Sequence, residues 1–195
     1  VPSRRLPMSA TPRIVFSMFR SSSDPMFLAW ARFLQAVEAG ARRTASVAAV
    51  TVAPGVPTRP LEEVRRAQPV VRAVPATAPC GVWRVLAPNN RELGRSARAY
   101  TSFASARSHV TALRASVDEL GIVAVNGERA GMSGWYVTRK GLPVITCGRW
   151  YGAAASGATA ALAALDALAV AVVEDSPRRL EPPRRAGVAS DDVVW

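Results

Sequence analysis

Residues 133–151 read SGWYVTRKGLPVITCGRWY, and residues 81–100 read GVWRVLAPNNRELGRSARAY. Both stretches open on alternating residues, break at a turn (Pro88-Asn89-Asn90 or Lys140-Gly141) and resume in extended form. Asn and Gly tolerate the left-handed backbone of a tight turn, so each stretch is predicted to fold as a β-hairpin. In register, Trp83 meets Trp135, Val85 meets Val137, Leu93 meets Val144, Ser96 meets Cys147 and Arg98 meets Arg149. The tryptophans lie 52 positions apart and Tyr100 and Tyr151 lie 51 apart, so one residue is lost at the second turn.

Each hairpin leads into a helical pattern. After the first, Thr101 or Ser102 can cap a helix over FASARSHVTALRASVDEL, with Phe103, Val110, Leu113 and Val117 as its apolar stripe and Gly121 as its stop. After the second, residues 152–173 (GAAASGATAALAALDALAVAVV) are apolar nearly all round, and such a helix must be covered on most sides. The run is long enough to span a bilayer. However, Ala is weakly apolar and cannot offset the roughly 2.5–3.5 kcal/mol cost of a central Asp such as Asp166, so a buried helix is expected. Between the two patterns, Ile122 to Val125 reads as an additional strand and Asn126-Gly127 as a turn.

A strand–turn–strand–helix unit cannot bury its own sheet face, and pairing two such units in one sheet solves that problem. The expected fold is α+β: two tandem strand-hairpin-plus-helix repeats, about 81–121 and 134–173, sharing one antiparallel sheet with helices on one face.

The segment from Trp83 through Val110 resembles the repeat of the YegP-like proteins. In that family an aromatic-led strand is followed by an Asn-Gly turn, an apolar residue, a Ser, and a Tyr that precedes the helix. The matching positions are Asn89, Leu93, Ser96 and Tyr100, with Asn90 where Gly is usual and one extra residue between Ser96 and Tyr100. The second copy has Lys140-Gly141 at the turn and Cys147 where Ser is usual. The resemblance covers residues 81–173 and implies three-stranded sheet-plus-helix units joined in a single sheet, leaving open an exchange of helices between them. It implies no activity, because the family has no established reaction.

The flanking sequence has a different character. Residues 1–51 form a basic, partly helical leading segment: RIVFSMF is a short candidate strand, and Asp24-Pro25 starts a helix with Phe27, Trp30, Leu34 and Val37 on one face and Gly40 at its end. Residues 52–80 hold six prolines and read as a linker, placing a domain boundary near Cys80 and a folded domain over 81–175. Residues 176–195 read as a flexible tail. Val1 is what an unconverted GTG start codon would give, so the first seven residues carry no expectation.

Net charge is +11, and all but one of the 25 basic residues are arginine, the exception being Lys140. Residues 1–80 carry 11 Arg against 4 acids, a net of +7, so the basicity belongs mainly to the leading segment. Codon bias in a GC-rich genome and an anionic partner explain it equally well.

No catalytic constellation stands out, and no cofactor or metal site is expected. His109, the only histidine, has no acid one helical turn away and reads as structural. Cys147 sits among apolar neighbours and reads as a small buried hydrophobe, although Arg149 nearby would favour a thiolate. Two unpaired cysteines, Cys80 and Cys147, suit a reduced cytoplasmic protein. Asp118 and Glu119, near a predicted helix C-terminus, have no explanation in the sequence.

The remaining candidate is a surface for nucleic acid or a protein partner, comprising Arg84, Arg95, Arg98, Tyr136, Arg139, Lys140, Arg149 and Trp150. Strand alternation leaves Trp83 and Trp135 open as core or platform, with core favoured, while Trp150 has no counterpart in the first copy and reads as an exposed candidate. The expected function is a non-enzymatic interaction or scaffold protein that self-associates through the apolar second helix. The alternative is a nucleic-acid-binding accessory protein using the leading segment and the Arg and aromatic sheet positions.

Overall fold

The run RIVFSMF forms strand β1 (Arg13–Phe19), which pairs antiparallel along its whole length with β2 (Cys80–Leu86), from Arg13 opposite Leu86 to Phe19 opposite Cys80. The computed structural model describes residues 11–51 and 79–179. The expectations for residues 1–10, for the proline-rich stretch over 52–78 and for the tail over 180–195 lie outside the described residues.

The β1–β2 pairing corrects the expected boundary near Cys80. The leading segment is not separate from the sheet, because Ile14, Val15 and Phe16 are fully buried within it. The remaining strands are β3 (Glu92–Ser96), β4 (Leu120–Asn126), β5 (Ser133–Arg139), β6 (Leu142–Thr146), β7 (Val172–Val173) and β8 (Arg178–Arg179). Their order is β4-β5-β6-β3-β2-β1-β7, and β8 also pairs with β1.

The fold is α+β, with three helices packed on a mixed sheet. Its main ladders are antiparallel, but β7 and β8 run parallel to β1, so the sheet is not purely antiparallel as expected. A parallel neighbour requires a crossover, and here the chain returns to β1 through α3 (Ala154–Val170), directly before β7. Arg178 and Arg179, expected in a flexible tail, pair as β8 with Ser17 and Met18.

Alternation along the strands assigns the two faces. Ile14, Phe16, Trp83, Val85, Trp135, Val137 and Ile145 point to α2 (Phe103–Arg114) and α3 and form one core with Val110, Leu113, Ala161, Ala164 and Leu168. Phe103 meets Phe16 edge to face at 4.9 Å between ring centroids. Ser102 caps α2 by accepting the Ser105 N–H at 3.1 Å. Gly121, expected to stop this helix, lies instead in β4 opposite Thr138: α2 ends at Arg114, and a 3-10 turn (Val117–Glu119) follows. That turn explains Glu119, which pairs with Arg139 at 3.1 Å.

The opposite face is also covered, so the helices are not confined to one side. Phe19, Cys80, Val82 and Ala97 make an apolar patch there, and Phe27, Trp30 and Leu34 of α1 (Pro25–Thr51) close over it. Asp24 caps α1 by accepting the Met26 N–H at 2.8 Å, with Pro25 at the first helical position. Trp30 Nε1 donates to the Ser96 carbonyl at 3.2 Å. The helix then passes β4, where Thr44 Oγ1 accepts the Asn126 N–H at 3.1 Å.

Gly40 does not end α1, because the helix continues to Thr51. A Cβ at position 40 would lie 2.6 Å from the Asn126 carbonyl oxygen, so Gly40 is what lets the helix approach the strand. Gly134 has a similar use, since a Cβ there would lie 2.7 Å from Cζ3 of Trp150, the ring that α1 contacts through Phe33.

The helix covering the other face is not enclosed on most sides. Small residues of α3 (Gly157, Ala161, Ala164, Ala167) sit close on the sheet, while Leu162, Val170 and Asp166 face outward. No helix among the described residues is long and apolar enough to cross a membrane.

Gly40→Ala separates these effects. In an ordinary helix interior the change stabilises by about 1 kcal/mol. Here it is expected to destabilise by about 1–3 kcal/mol, because the clash is with backbone that cannot rotate away. Urea unfolding of the two proteins decides the sign, and a stabilised Gly40→Ala would contradict the close approach.

Candidate interaction surfaces

Trp83 and Trp135 are both core residues, with at most 1% of their surface exposed, so neither can stack on a nucleobase. Trp83 Nε1 donates to the Tyr100 hydroxyl at 3.1 Å, and Arg98 Nε donates to the same oxygen at 3.3 Å. That hydroxyl has one proton, which it gives to His109 Nδ1. His109 is therefore held neutral with its proton on Nε2. Burial, together with the nearby Arg98 and Arg139 guanidinium groups, pushes its pKa down to about 4. Trp135 has no such arrangement, and its Nε1 is buried with no partner among the described residues.

The thiols are equally unsuited to nucleophilic work. Both cysteines are free and fully buried. Burial pushes the Cys80 pKa up to about 11, with Asp24 adding to the shift, and burial also raises Cys147. Arg149 does not activate Cys147, because its guanidinium lies over the Tyr151 ring, 5.1 Å from the centroid. Cys147 Sγ instead accepts the Trp135 N–H at 3.4 Å.

The expected surface residues do not converge. Arg84 and Arg95 lie on the α1 face and share the Glu92 carboxylate, Arg84 at 3.7 Å. Arg84 also donates to Ser17 Oγ at 3.4 Å, and Arg95 lies 6.0 Å from the centroid of Phe33. Arg98 lies on the other side of the sheet, 5.3 Å from the Tyr100 ring centroid. Arg139 is paired with Glu119, and the exposed Lys140 takes φ 51° in the β5–β6 turn. Tyr136 is half-buried, and that burial raises its pKa.

Trp150 departs furthest from expectation. It is half-buried against Phe33, 5.8 Å between centroids, and over Gly134. It docks α1 to the sheet.

The sequence reading missed the edge at β4. In this strand, LGIVAVN, four of seven residues are exposed and none is charged. Its ladder with β5 runs unbroken from Leu120 opposite Arg139 to Asn126 opposite Ser133. The Asn126 N–H goes to Thr44, so the backbone of Asn126 faces away from β5. Alternation then turns Ala124, Ile122 and Leu120 the same way. The Leu120 N–H is taken by the Val117 carbonyl. Ile122 and Ala124 are left with both N–H and C=O directed outward at the edge of the sheet, and no described strand pairs there.

The opposite edge is different. It is made of two-residue strands and carries the Glu174 carboxylate, 3.5 Å from Arg13 and 2.8 Å from Arg178. Short charged edges resist strand addition, whereas long apolar ones invite it. The signal was present in the sequence: Leu120–Asn126 is a seven-residue strand without charge or proline in a chain with 39 charged residues.

The His109 network makes stability depend on pH. The folded protein keeps His109 neutral down to about pH 4, while the unfolded chain takes up a proton near pH 6.5. Stability is thus fully present above about pH 6.5 and falls as pH drops toward 4. Solvent screening at this partly exposed ring reduces the loss to about 1–2 kcal/mol. The stability gap between wild type and His109→Gln, measured by urea unfolding, is expected to shrink by that amount from pH 7 to pH 4.5. An unchanged gap would contradict the neutral, Tyr100-bonded imidazole.

No family model, curated protein or solved structure matches this chain.

Proposed function

We propose that the protein is a non-enzymatic interaction module whose working surface is the β4 edge, where an extended polypeptide adds as a further strand. One observation carries this reading: the outward N–H and C=O of Ile122 and Ala124 lie on an exposed, uncharged edge. Main-chain hydrogen bonds to such an edge supply affinity, and the side chains flanking it supply selectivity. The non-enzymatic part is supported by the commitments of the reactive groups, since the thiols are buried and protonated and the imidazole nitrogen Nδ1 is occupied by Tyr100.

Residues 81–121 and 134–173 belong, in this reading, to two copies of one unit of the YegP-like kind. Several paired details support it. The Trp83 N–H donates to Ser96 Oγ at 3.3 Å, as the Trp135 N–H donates to Cys147 Sγ. Gly81 bridges to Tyr100 and Ser133 bridges to Tyr151. Register shifts fall at Val85/Leu86 and at Val137/Thr138, and positive φ at Asn90 and Lys140. On this scheme β4 stands to the second copy as β1 stands to the first. β1 has β7 and β8 beside it, and the equivalent place beside β4 is where the partner strand goes.

The nucleic-acid alternative loses its aromatic platform with the burial of Trp83 and Trp135. Salt separates the two readings, since phosphate contacts weaken steeply as ionic strength rises and strand addition to an uncharged edge does not. Peptides selected from a random display library against the full chain are expected to alternate apolar and polar residues. Their affinity should change less than about twofold between 0.1 and 0.5 M salt and should be lost in Ala124→Pro. Selected peptides that bind Ala124→Pro as well as wild type would remove the edge from the function.

A further inference from the structure

We infer that the strand received at β4 is β4 of a second copy of this chain, the two running antiparallel about a two-fold axis at Val123. This inference rests on the edge-binding reading above and names its occupant. The arrangement of free and satisfied groups argues for it. Along the outward side of β4, the N–H groups at both ends are satisfied internally: Leu120 by the Val117 carbonyl and Asn126 by Thr44 Oγ1. Between them, the outward N–H groups of Ile122 and Ala124 have no strand partner among the described residues and are placed symmetrically about Val123.

An antiparallel copy centred on Val123 sets Ile122 opposite Ala124 of the second copy and Ala124 opposite its Ile122. Residues whose N–H and C=O both point across the gap form the hydrogen-bonded pairs of an antiparallel ladder. Each of the two pairs therefore exchanges two hydrogen bonds, and every free donor on the edge finds an acceptor. A generic peptide can satisfy the same groups, but β4 itself satisfies them with no residue of either strand left over.

The side chains fit the same axis. Ile122 faces the α2/α3 side, where it is 37% exposed despite its size, and Ala124 lies beside it. Pairing brings two copies of each together as an apolar cluster across the axis. Val123, on the α1 side and half-buried beside Tyr136, meets Val123 of the second copy. A chain of net charge +11 repels its own copies over most of its surface. Leu120–Asn126 carries no charge, so this strand can approach its own copy without placing like charges face to face. Isologous contacts of this kind close on themselves and yield a dimer rather than a fibre.

Sedimentation equilibrium of the full chain is expected to give twice the 20.7 kDa chain mass at micromolar concentration. Val123→Cys is expected to yield a reductant-sensitive covalent dimer under mild oxidation, since the two native thiols are buried and the engineered pair lies opposite itself. Ile122→Cys alone should cross-link poorly, whereas an equal mixture of Ile122→Cys and Ala124→Cys should cross-link well. Ala124→Pro removes one outward donor at an edge position that tolerates proline and should weaken dimerisation by about tenfold or more. If Ala124→Pro fails to fold, Val123→Lys places two ammonium groups face to face and should give the same loss.

A monomeric wild type, or a Val123→Cys yield no greater than that of Ile122→Cys, overturns the self-pairing. Should that occur while library-selected peptides still lose binding in Ala124→Pro, the edge reading stands and the occupant is another protein. Should the peptides also bind Ala124→Pro unchanged, both readings fall.

Discussion

The sheet depends on the short seam between β3 and β6. Arg95 opposite Thr146 and Ser96 opposite Ile145 are its registered pairs, extended by the Ala97 N–H to the Val144 carbonyl at 3.1 Å. On one side of the seam lie β2 and β1, and on the other β5 and β4. A two-pair ladder is too short to hold two hairpins alone, and packing on both faces reinforces it. On the α2/α3 face the Trp135 ring and Ile145 lie over Gly94, where a Cβ would come within 3.0 Å of the ring. The seam is thus a place where the absence of a side chain lets an aromatic ring from one hairpin rest on the backbone of the other. α3, with buried Ala161, Ala164 and Leu168, covers the same junction.

On the second face the long α1 does the corresponding work. Its Trp30 reaches the Ser96 carbonyl at the end of β3, and its Phe33 meets Trp150 from the loop after β6. A single helix therefore touches strands from both sides of the seam. This gives the leading segment a structural role that its basic composition does not suggest. Its apolar side, Phe27, Trp30, Leu34 and Val37, is buried almost completely, while its arginines at 32, 42 and 43 lie on the remaining surface. Amphipathic packing accounts for the helix without an anionic partner.

The parts of this fold that were legible in sequence are those set by neighbours along the chain. Asp24-Pro25 marks the start of α1, Ser102 caps α2, and Asn90 and Lys140 take the left-handed conformation their turns require. What was not legible depends on contacts between distant segments. Gly40 has the local signature of a helix stop, yet its missing Cβ accommodates a carbonyl 86 positions away. Gly121 likewise reads as a stop and serves as a strand residue, because Leu120 to Val125 gains a partner in β5. Trp150 reads as exposed because nothing nearby in sequence buries it, and Phe33 does so from the opposite half of the chain. For the candidate site, the presence of a strand over residues 122–125 was visible, but its place at the end of the sheet was not. Sheet order is a long-range property that periodicity does not encode.

The two ends of the sheet carry different consequences for association. At one end, β1 is followed by β7 and β8, each only two residues long and flanked by Arg13, Glu174 and Arg178 in ion pairs. A strand arriving there would have to displace charged groups from their partners and would gain few hydrogen bonds. At the other end, β4 offers seven uncharged residues in regular register, interrupted only where Val117 and Thr44 satisfy the terminal N–H groups. Natural sheets blunt such edges with lysine, proline or a bulge, and β4 has none of these. Among the described residues, the sheet is thus protected at one end and open at the other. In the proposed pairing that asymmetry would limit growth, because each copy would use its β4 edge and leave the short, charged end facing outward.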